Sequence, residues 1–394
     1  MKYQKTIQLS VLIIFLFLIF AFGFALLITP DQAFSENENR SLRTMPHFRW
    51  DSLFDGKYAD QINEYFADQF SLRSFWVRQK ARISRLLYAG ENNGVLLNGE
   101  GFFAKRLFDI MQGDGSILSQ TDMIDQKHLR RCFDGVERAA NRLSVPLYVM
   151  PVGRNIDVLK DRFNYPTDSS DFLLAEIENE LAPNVELIDT VNPLRARAAN
   201  GEYVYYRTDH HWTTLGAYAS YCEIMKSFGL QDKIVDISSF EREAVSESFL
   251  GTLWSKSGMC DTVPDTVELW HLTQDQEFEI QCDGKILDGF YNRSYIQGKD
   301  KYSVFLDGTH DVVTITAKES EAPRPVLLLL KDSFANSMAS FLALHFDLVL
   351  LNLSSGRSDF TDVSAMVDQY NADRVLICYS IENMLTTDKL CRLR

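Results

Sequence analysis

The chain has 394 residues, of which 46% are hydrophobic and 12% aromatic, so it is long enough for one large globular domain or two ordinary ones. Its formal net charge of −14 argues against a nucleic acid partner, because such binding relies on a basic surface. The sequence has no G-x-S-x-G string, no P-loop and no H-E-x-x-H motif, and it predicts neither a cofactor nor a metal.

The N-terminal segment is strongly apolar. No charged residue occurs between Ile7 and Ile28, and about 20 such residues cross a bilayer. The run is too long for a signal-peptide core, so we expect an uncleaved anchor over 7–28. Lys2 and Lys5 precede it, which predicts a cytoplasmic tail at 1–6 and an extracytoplasmic remainder. The polar residues 29–54 then form a juxtamembrane stalk, and 55–394 form the extracytoplasmic domain.

Helices and a hairpin come next. Apolar residues recur at helical spacing over 57–87, and 94–105 is typical of a short hairpin with a Gly-containing turn. Further helical patterns cover 122–143, 170–182 and 213–228, the last with Thr213 or Thr214 as a plausible N-cap.

Apolar strand patterns alternate with these helices. They lie at 145–152, 185–191, 325–334, 346–353 and 372–380. Continuous apolar strands alternating with helices predict an α/β fold whose parallel sheet is covered on both faces. Short polar strands and turns at about 234–320 predict a β-rich insertion in the same domain.

The six cysteines form no CxxC pair and no zinc spacing. Cys260 and Cys282 lie in one polar stretch, so we consider a disulfide between them, which only geometry can decide. Cys222 and Cys378 lie in apolar runs that are typical of buried thiols.

Ser333, in LLLLKDSFANS, follows the most apolar strand and precedes a predicted helix. Ligands of parallel sheets bind at the carboxyl ends of strands, and a serine there can attack an acyl group. The alternative is structural, with Asp332 or Ser333 simply capping the helix.

A base for that serine is available in Asp209-His210-His211-Trp212. In an extended segment Asp209 and His211 point to one side and His210 to the other, so Asp209 can orient His211 as a proton acceptor. The non-catalytic alternative is a polar loop in which both histidines are solvated. A metal site ranks lower, because adjacent side chains on a strand diverge. The resemblance of DHH to soluble phosphoesterases also ranks lower, since the expected anchor places this chain outside the cell.

The string Asp209-His210-His211-Trp212 resembles the signature of the bacterial DHHW protein family, which is similar to the AlgX and AlgJ group of exopolysaccharide O-acetyltransferases. The strings SENENRSLRTMP, FLGTLWSKSG, SVFLDGTH and LLLLKDSFANS agree, and the resemblance runs from about residue 36 to the C-terminus. It implies an SGNH-hydrolase-like three-layer α/β/α fold.

The resemblance also implies roles for residues. Asp209 is the orienter, His211 the base and Ser333 the nucleophile, in an order permuted relative to ordinary SGNH hydrolases. Lys331 stands where those enzymes have glycine, and Asn336 and Gly308 are candidates for the oxyanion site.

The function implied is O-acetylation of a cell-surface or exopolysaccharide by an enzyme anchored outside the cytoplasmic membrane. Acetyl-CoA is not expected there, so the resemblance implies a membrane-bound O-acyltransferase partner that supplies acetyl groups. One rival is a carbohydrate acetyl-esterase. Another is a non-catalytic polysaccharide-binding or scaffold protein, in which aromatic side chains stack on sugars. Candidates for stacking are Trp254, Trp270, Tyr291 and Tyr295.

Overall fold

The computed structural model describes most of the chain. The described residues are 2–35, 40–48, 50, 54, 56–87, 90–105, 125–163, 171–258, 261–273, 276–319, 322–354 and 359–394. They form two compact units, of which the first comprises 1–89 with 258–260 and the second comprises 90–257 with 261–394.

The described residues of the first unit include three helices with defined bounds and a two-stranded ribbon. Their bounds are α1 Lys2–Ile28, β1 Phe34–Ser35, β2 Arg40–Ser41, α2 Lys57–Asp68 and α3 Arg73–Leu86. The backbone N–H of Arg43 donates to the Asp68 carboxylate at 2.9 Å, and Gln69 donates to the Arg43 carbonyl at 2.8 Å. Part of the predicted stalk is therefore hydrogen-bonded to the end of α2.

The expected membrane anchor lies within α1. Among the residues that the structure describes, no helix meets the length and apolarity needed to cross a membrane. The anchor at 7–28 and the boundaries drawn around it stay predictions.

The second unit is built on an eight-stranded sheet. Its members are β6 Leu147–Val152, β7 Val185–Leu187, β10 Phe278–Cys282, β11 Lys285–Leu287, β12 Val312–Ala317, β13 Val326–Lys331, β14 Asp347–Asn352 and β15 Arg374–Ser380. Their order across the sheet is β11-β10-β12-β14-β13-β15-β6-β7. β14, β13, β15, β6 and β7 pair in parallel, whereas β10, β11 and β12 add antiparallel strands at one edge. The mixed α/β fold is confirmed.

Helices cover the sheet. Their bounds are α4 Gln126–Ala140, α5 Asn155–Val158, α6 Asp171–Glu180, α7 Val191–Ala199, α8 Thr214–Ser227, α9 Thr252–Lys256, α10 Ala339–Leu342, α11 Val363–Tyr370 and α12 Ile381–Thr386. Alternate residues of β13 enter two different apolar clusters: Leu327 and Leu329 enter one, and Leu328 and Leu330 the other. Since successive side chains of a strand point to opposite faces, both faces of the sheet are buried.

The β-rich insertion is only partly separate. β8 Phe240–Phe249 and β9 Asp265–Leu272 pair with each other, while β10, β11 and β12 extend the main sheet. The predicted hairpin is present as β4 Val95–Leu97 and β5 Phe103–Lys105, with β3 Glu91–Asn92 beside it.

Two expected elements are shorter than their patterns indicate. The strand expected at 185–191 ends at Leu187, because Val191 already begins α7. The helix expected after Ser333 is a 3₁₀ helix, Ser333–Ser337, followed by the four-residue α10. Asn336 and Ser337 bond to side chains of other elements there, and such contacts compete with regular helical geometry.

Of the described cysteines, Cys132, Cys222, Cys282 and Cys378 are buried. Cys260 lies outside the described residues, so its pairing with Cys282 stays a prediction.

Candidate active site

The loop that carries the four-residue motif is a tight reversal of the chain. Tyr205 and Trp212 form an isolated antiparallel bridge, and the Tyr206 N–H donates to the His211 carbonyl at 3.2 Å. Thr213, one of the two N-cap candidates in the sequence, then caps α8 by accepting from the Gly216 N–H. This reversal brings the side chains of Asp209 and His211 together, although neither residue belongs to a regular strand.

Three of the predicted site residues form a continuous hydrogen-bonded chain. The Asp209 Oδ1 atom lies 2.6 Å from His211 Nδ1, and His211 Nε2 lies 2.7 Å from Ser333 Oγ. Asp209 is 1% exposed and His211 is 6% exposed, whereas Ser333 is half-buried. A buried carboxylate, an imidazole and an accessible hydroxyl in this order are the arrangement needed to activate a serine.

Several donors hold the Asp209 carboxylate in place. It accepts from the His211 N–H at 3.1 Å, from the Thr252 N–H at 2.8 Å and from the Thr252 hydroxyl at 2.9 Å. Burial alone raises the pKa of Asp209, but the neighbouring histidines and these hydrogen bonds outweigh it and bring the pKa well below its usual value. Asp209 is therefore charged and able to stabilise a protonated His211.

Aromatic rings fix the plane of the His211 imidazole. The Tyr302 ring stacks on it at 3.7 Å between centroids and an interplanar angle of 7°. The Phe334 ring lies 4.9 Å away on a tilted plane. The Tyr302 hydroxyl reaches the Ser333 carbonyl at 3.3 Å, so Tyr302 links the base to the backbone of the serine.

His210 differs from its expected orientation. Its ring does not point away from His211, because the centroids of the two rings are only 3.8 Å apart. The loop is bent rather than extended, so the alternation of a strand does not apply. His210 Nδ1 bonds to the Thr252 hydroxyl at 2.8 Å, and burial together with His211 lowers the pKa of His210 to about 4. His210 is thus neutral at physiological pH.

Ser333 follows the carboxyl end of β13, a central strand of the sheet. Asp332 caps the 3₁₀ helix by accepting from the Phe334 N–H at 3.2 Å, and its other oxygen accepts from the Ser380 N–H at 2.8 Å. The capping alternative therefore applies to Asp332, and the Ser333 hydroxyl is left to bond His211.

Trp212 joins the motif loop to this turn. It is fully buried, and its Nε1–H donates to Ser337 Oγ at 2.9 Å and to the Phe334 carbonyl at 3.2 Å. The indole therefore fixes the distance between the histidine loop and the serine turn.

Asp265 is a site residue that the sequence does not reveal. It is fully buried, and its carboxylate accepts from the N–H groups of Arg207 and Thr208, each at 2.9 Å. It also bonds the hydroxyls of Thr208 and Tyr203. Asp265 comes 56 positions after Asp209, so only the pairing of β8 with β9 brings it under the motif loop.

A cavity of about 240 Å³ opens beside Ser333. Ser333 and His210 line it together with Gly153 and Arg154, which follow β6, the strand on the far side of β15 from β13. Its lining also includes the Lys105–Glu382 ion pair. The site is therefore at the edge where parallel sheets place their ligands.

The oxyanion candidates bond to each other. Asn336 Nδ2 donates to the Gly308 carbonyl at 2.8 Å, and Asn336 Oδ1 accepts from Lys331 Nζ at 2.6 Å. Lys331 is 1% exposed, and burial, partly offset by Asp332, lowers its pKa to about 8. Neither Asn336 nor Gly308 lines the cavity, and their oxyanion role stays a prediction.

The metal alternative can be compared with the donors present. Asp209, His210 and His211 offer ligand atoms within 4.8 Å of one another. Both ring nitrogens of His211 are already bonded, one to Asp209 and one to Ser333. Binding an ion through His211 would break that chain, so the donor set fits proton transfer better.

The aromatic residues considered for sugar binding have different environments. Trp270 is 2% exposed and packs against Tyr218 and Phe341 in the core. The Tyr291 hydroxyl donates to the Trp270 carbonyl, and the Tyr295 hydroxyl donates to that of Asp307. Trp270 is therefore not available for stacking on a sugar.

Comparison with known proteins supports the same family. Residues 177–352 match the model of the DHHW protein family, and the match includes both Asp209–Trp212 and Ser333. The predicted resemblance to the DHHW protein family is confirmed. No curated protein matches this chain significantly in sequence.

Solved structures share the fold of this chain. A DHHW family protein from Eubacterium siraeum is 18% identical with a TM-score of 0.58, covering 77% of this chain and 95% of its own. Bacillus cereus PatB1 with a sulfonyl adduct is 16% identical with a TM-score of 0.61, covering 76% and 98%. The O-acetyltransferase domain of Pseudomonas putida AlgJ is 15% identical with a TM-score of 0.44, covering 75% and 93%. The first two similarities establish the fold.

Proposed function

We propose that the protein is an O-acetyltransferase that modifies a cell-surface or exopolysaccharide through Ser333, His211 and Asp209. One observation carries the proposal: the hydrogen bonds of 2.6 Å and 2.7 Å that connect Asp209 through His211 to Ser333. The acetyl group and the polysaccharide are taken from the resemblance to the AlgX and AlgJ group.

The reaction proceeds through an acyl-enzyme. His211 Nε2 takes the proton of Ser333 Oγ while that oxygen attacks the acyl carbon of the donor. Asp209 stabilises the imidazolium, and His211 returns the proton to the leaving group. A sugar hydroxyl then enters, gives its proton to His211 and attacks the acyl carbon. The bond from that carbon to Ser333 Oγ breaks, and His211 returns the proton to Ser333 Oγ, which restores the enzyme.

The cavity is suited to a small acyl group. Its volume of about 240 Å³ is below the range of roughly 300–1,000 Å³ that is common for drug-sized ligands. Lys105, Arg154 and Lys256 contribute positive charge to its lining, and Glu382 is paired with Lys105. An acetyl group fits within the cavity, and the acceptor polymer would lie across its opening.

A fold relative adds support for a reactive serine. PatB1 is described with a sulfonyl adduct. A sulfonylating reagent needs an activated nucleophile, and Ser333 is the hydroxyl bonded to His211 in this chain. We therefore expect such a reagent to modify Ser333.

The location and the acetyl supply are part of the proposal. The apolar run at 7–28 would anchor the protein in the cytoplasmic membrane with the N-terminus inside. A membrane-bound O-acyltransferase would then pass acetyl groups to Ser333 from the other side of the bilayer.

An acetyl-esterase is the second candidate, and the partial exposure of Ser333 favours it. Water that reaches the acyl-enzyme would release acetate instead of allowing transfer. The choice between the two therefore depends on how well the acceptor excludes water.

The test uses the full-length chain with p-nitrophenyl acetate, with and without a polysaccharide acceptor. Transfer predicts acetylated polymer and a fall in free acetate when acceptor is added. An esterase predicts free acetate alone, together with loss of acetyl from pre-acetylated polymer. Sugar binding without turnover would support the scaffold role and contradict both enzymes.

A further inference from the structure

Two cysteines far apart in the sequence meet at one flank of the second unit. Cys132 lies in α4, and Cys391 lies in the 3₁₀ helix Leu390–Arg392 near the C-terminus. Their sulfur atoms are 2.6 Å apart, which is too close for two sulfur atoms that are only in contact. A disulfide bond measures about 2.05 Å. We propose that Cys132 and Cys391 form a disulfide that fastens the C-terminal segment to α4.

The backbone supports this pairing independently of the two side chains. A Cβ atom placed on Gly135 would lie 3.0 Å from the Leu390 carbonyl carbon and closer still to its oxygen. The Arg138 guanidinium donates to the Cys391 carbonyl at 2.7 Å. Leu390 and Leu393 are 3% and 0% exposed. The C-terminal segment is therefore held close against α4 by contacts other than the sulfurs.

The oxidation balances with a named class of reagent. The S–H bonds of Cys132 and Cys391 break and one S–S bond forms, with release of two protons and two electrons. A second disulfide, on a protein or on a small molecule, accepts them and becomes a dithiol through a mixed disulfide. An extracytoplasmic location supplies such oxidants, since disulfides persist in oxidising compartments.

A zinc site is the competing interpretation. His128, Cys132 and Cys391 offer ligand atoms within 4.8 Å of one another. Two thiolates on a tetrahedral zinc, each about 2.3 Å from the metal, would hold their sulfurs about 3.8 Å apart, which exceeds the observed 2.6 Å. The His128 Nε2 atom also lies 3.2 Å from the Met384 carbonyl, a contact that an N–H donor makes. The geometry therefore favours the disulfide.

The bond would act near the candidate site. Between β15 and Cys391 the chain forms α12, where Asn383 Nδ2 donates to the Asp332 carboxylate at 2.9 Å. Asn383 and Glu382 line the cavity beside Ser333. A disulfide at Cys391 would therefore tether to α4 the segment that carries Glu382 and Asn383 in the cavity wall.

The test compares the reduced full-length chain with the same chain treated with oxidised glutathione. Both samples are alkylated after denaturation, digested and mapped by mass spectrometry. We expect one linked pair of peptides containing Cys132 and Cys391, and a melting temperature higher by roughly 5 °C or more in the oxidised sample. This comparison needs no substitution and does not depend on acyl transfer.

Matched variants complete the test. Cys132→Ser and Cys391→Ser should each abolish the linked peptides and the rise in melting temperature. Cys222→Ser removes a buried thiol elsewhere and should preserve both. Alkylation of both thiols after oxidation would overturn the proposal, as would a zinc ion that protects them from alkylation and is released by a chelator.

Discussion

Gly251 supports the orienting carboxylate by having no side chain. A Cβ atom there would lie 2.8 Å from Asp209 Cγ and closer still to the Asp209 Cβ and Oδ2 atoms. The backbone of Gly251 has φ −79°, which any residue adopts, so Gly251→Ala introduces a steric clash without backbone strain. Carbon atoms pack at about 3.5–4.0 Å, so the Asp209 carboxylate must move by roughly 1 Å.

That movement would lengthen the 2.6 Å bond between Asp209 and His211 beyond hydrogen-bonding range. A displacement of this size can lower turnover about 100-fold, and overpacking costs about 1–3 kcal/mol of stability. We expect Gly251→Ala to show both effects in p-nitrophenyl acetate turnover and thermal unfolding. Gly289→Ala is the matched control, because no heavy atom lies within 4 Å of its added Cβ. Full turnover and an unchanged melting temperature in Gly251→Ala would refute the reasoning.

Three further substitutions address the surroundings of the site. Thr252→Val removes a hydroxyl that donates to Asp209 at 2.9 Å, so turnover should fall about 10-fold and Thr252→Ser should restore it; equal rates would contradict this. Burial lowers the pKa of Lys331 from 10.5 to about 8. The buried charge therefore reduces the free energy of unfolding in full below pH 8, and this reduction disappears as the pH rises to 10.5. Urea unfolding should therefore show the wild type gaining up to about 3 kcal/mol relative to Lys331→Met across that interval, whereas a constant difference would argue against a buried cation. Asp265→Asn places an amide against the N–H of Thr208 and should lower the free energy of unfolding by about 2–3 kcal/mol in thermal denaturation. An unchanged melting temperature would contradict this supporting role of Asp265.

The residues that the sequence identifies are those whose chemistry and position are both local. Ser333 follows an apolar run long enough to be a central strand, and the carboxyl end of such a strand is a predictable place for a site. Asp209 and His211 are two residues apart, so any compact loop keeps them close. Their meeting with Ser333 depends on the strand order, which the apolar runs do not specify.

Other features depend on contacts that no local pattern encodes. His210 lies beside His211 because the loop bends between Tyr205 and Trp212, not because of its own sequence. Asp265 reaches the loop only through the pairing of β8 with β9. The approach of Cys132 to Cys391 likewise requires the C-terminal segment to return to α4, across 259 positions of sequence.

The central claim is that Ser333 is the nucleophile and His211 its base. The most direct measurement is the intact mass of the full-length chain after brief exposure to p-nitrophenyl acetate, followed by peptide mapping. We predict one acetyl group on Ser333, absent in Ser333→Ala and in His211→Ala, and retained in Ser248→Ala, which alters an exposed hydroxyl. Equal acetylation of wild type and Ser333→Ala, or an adduct confined to another residue, would contradict the account.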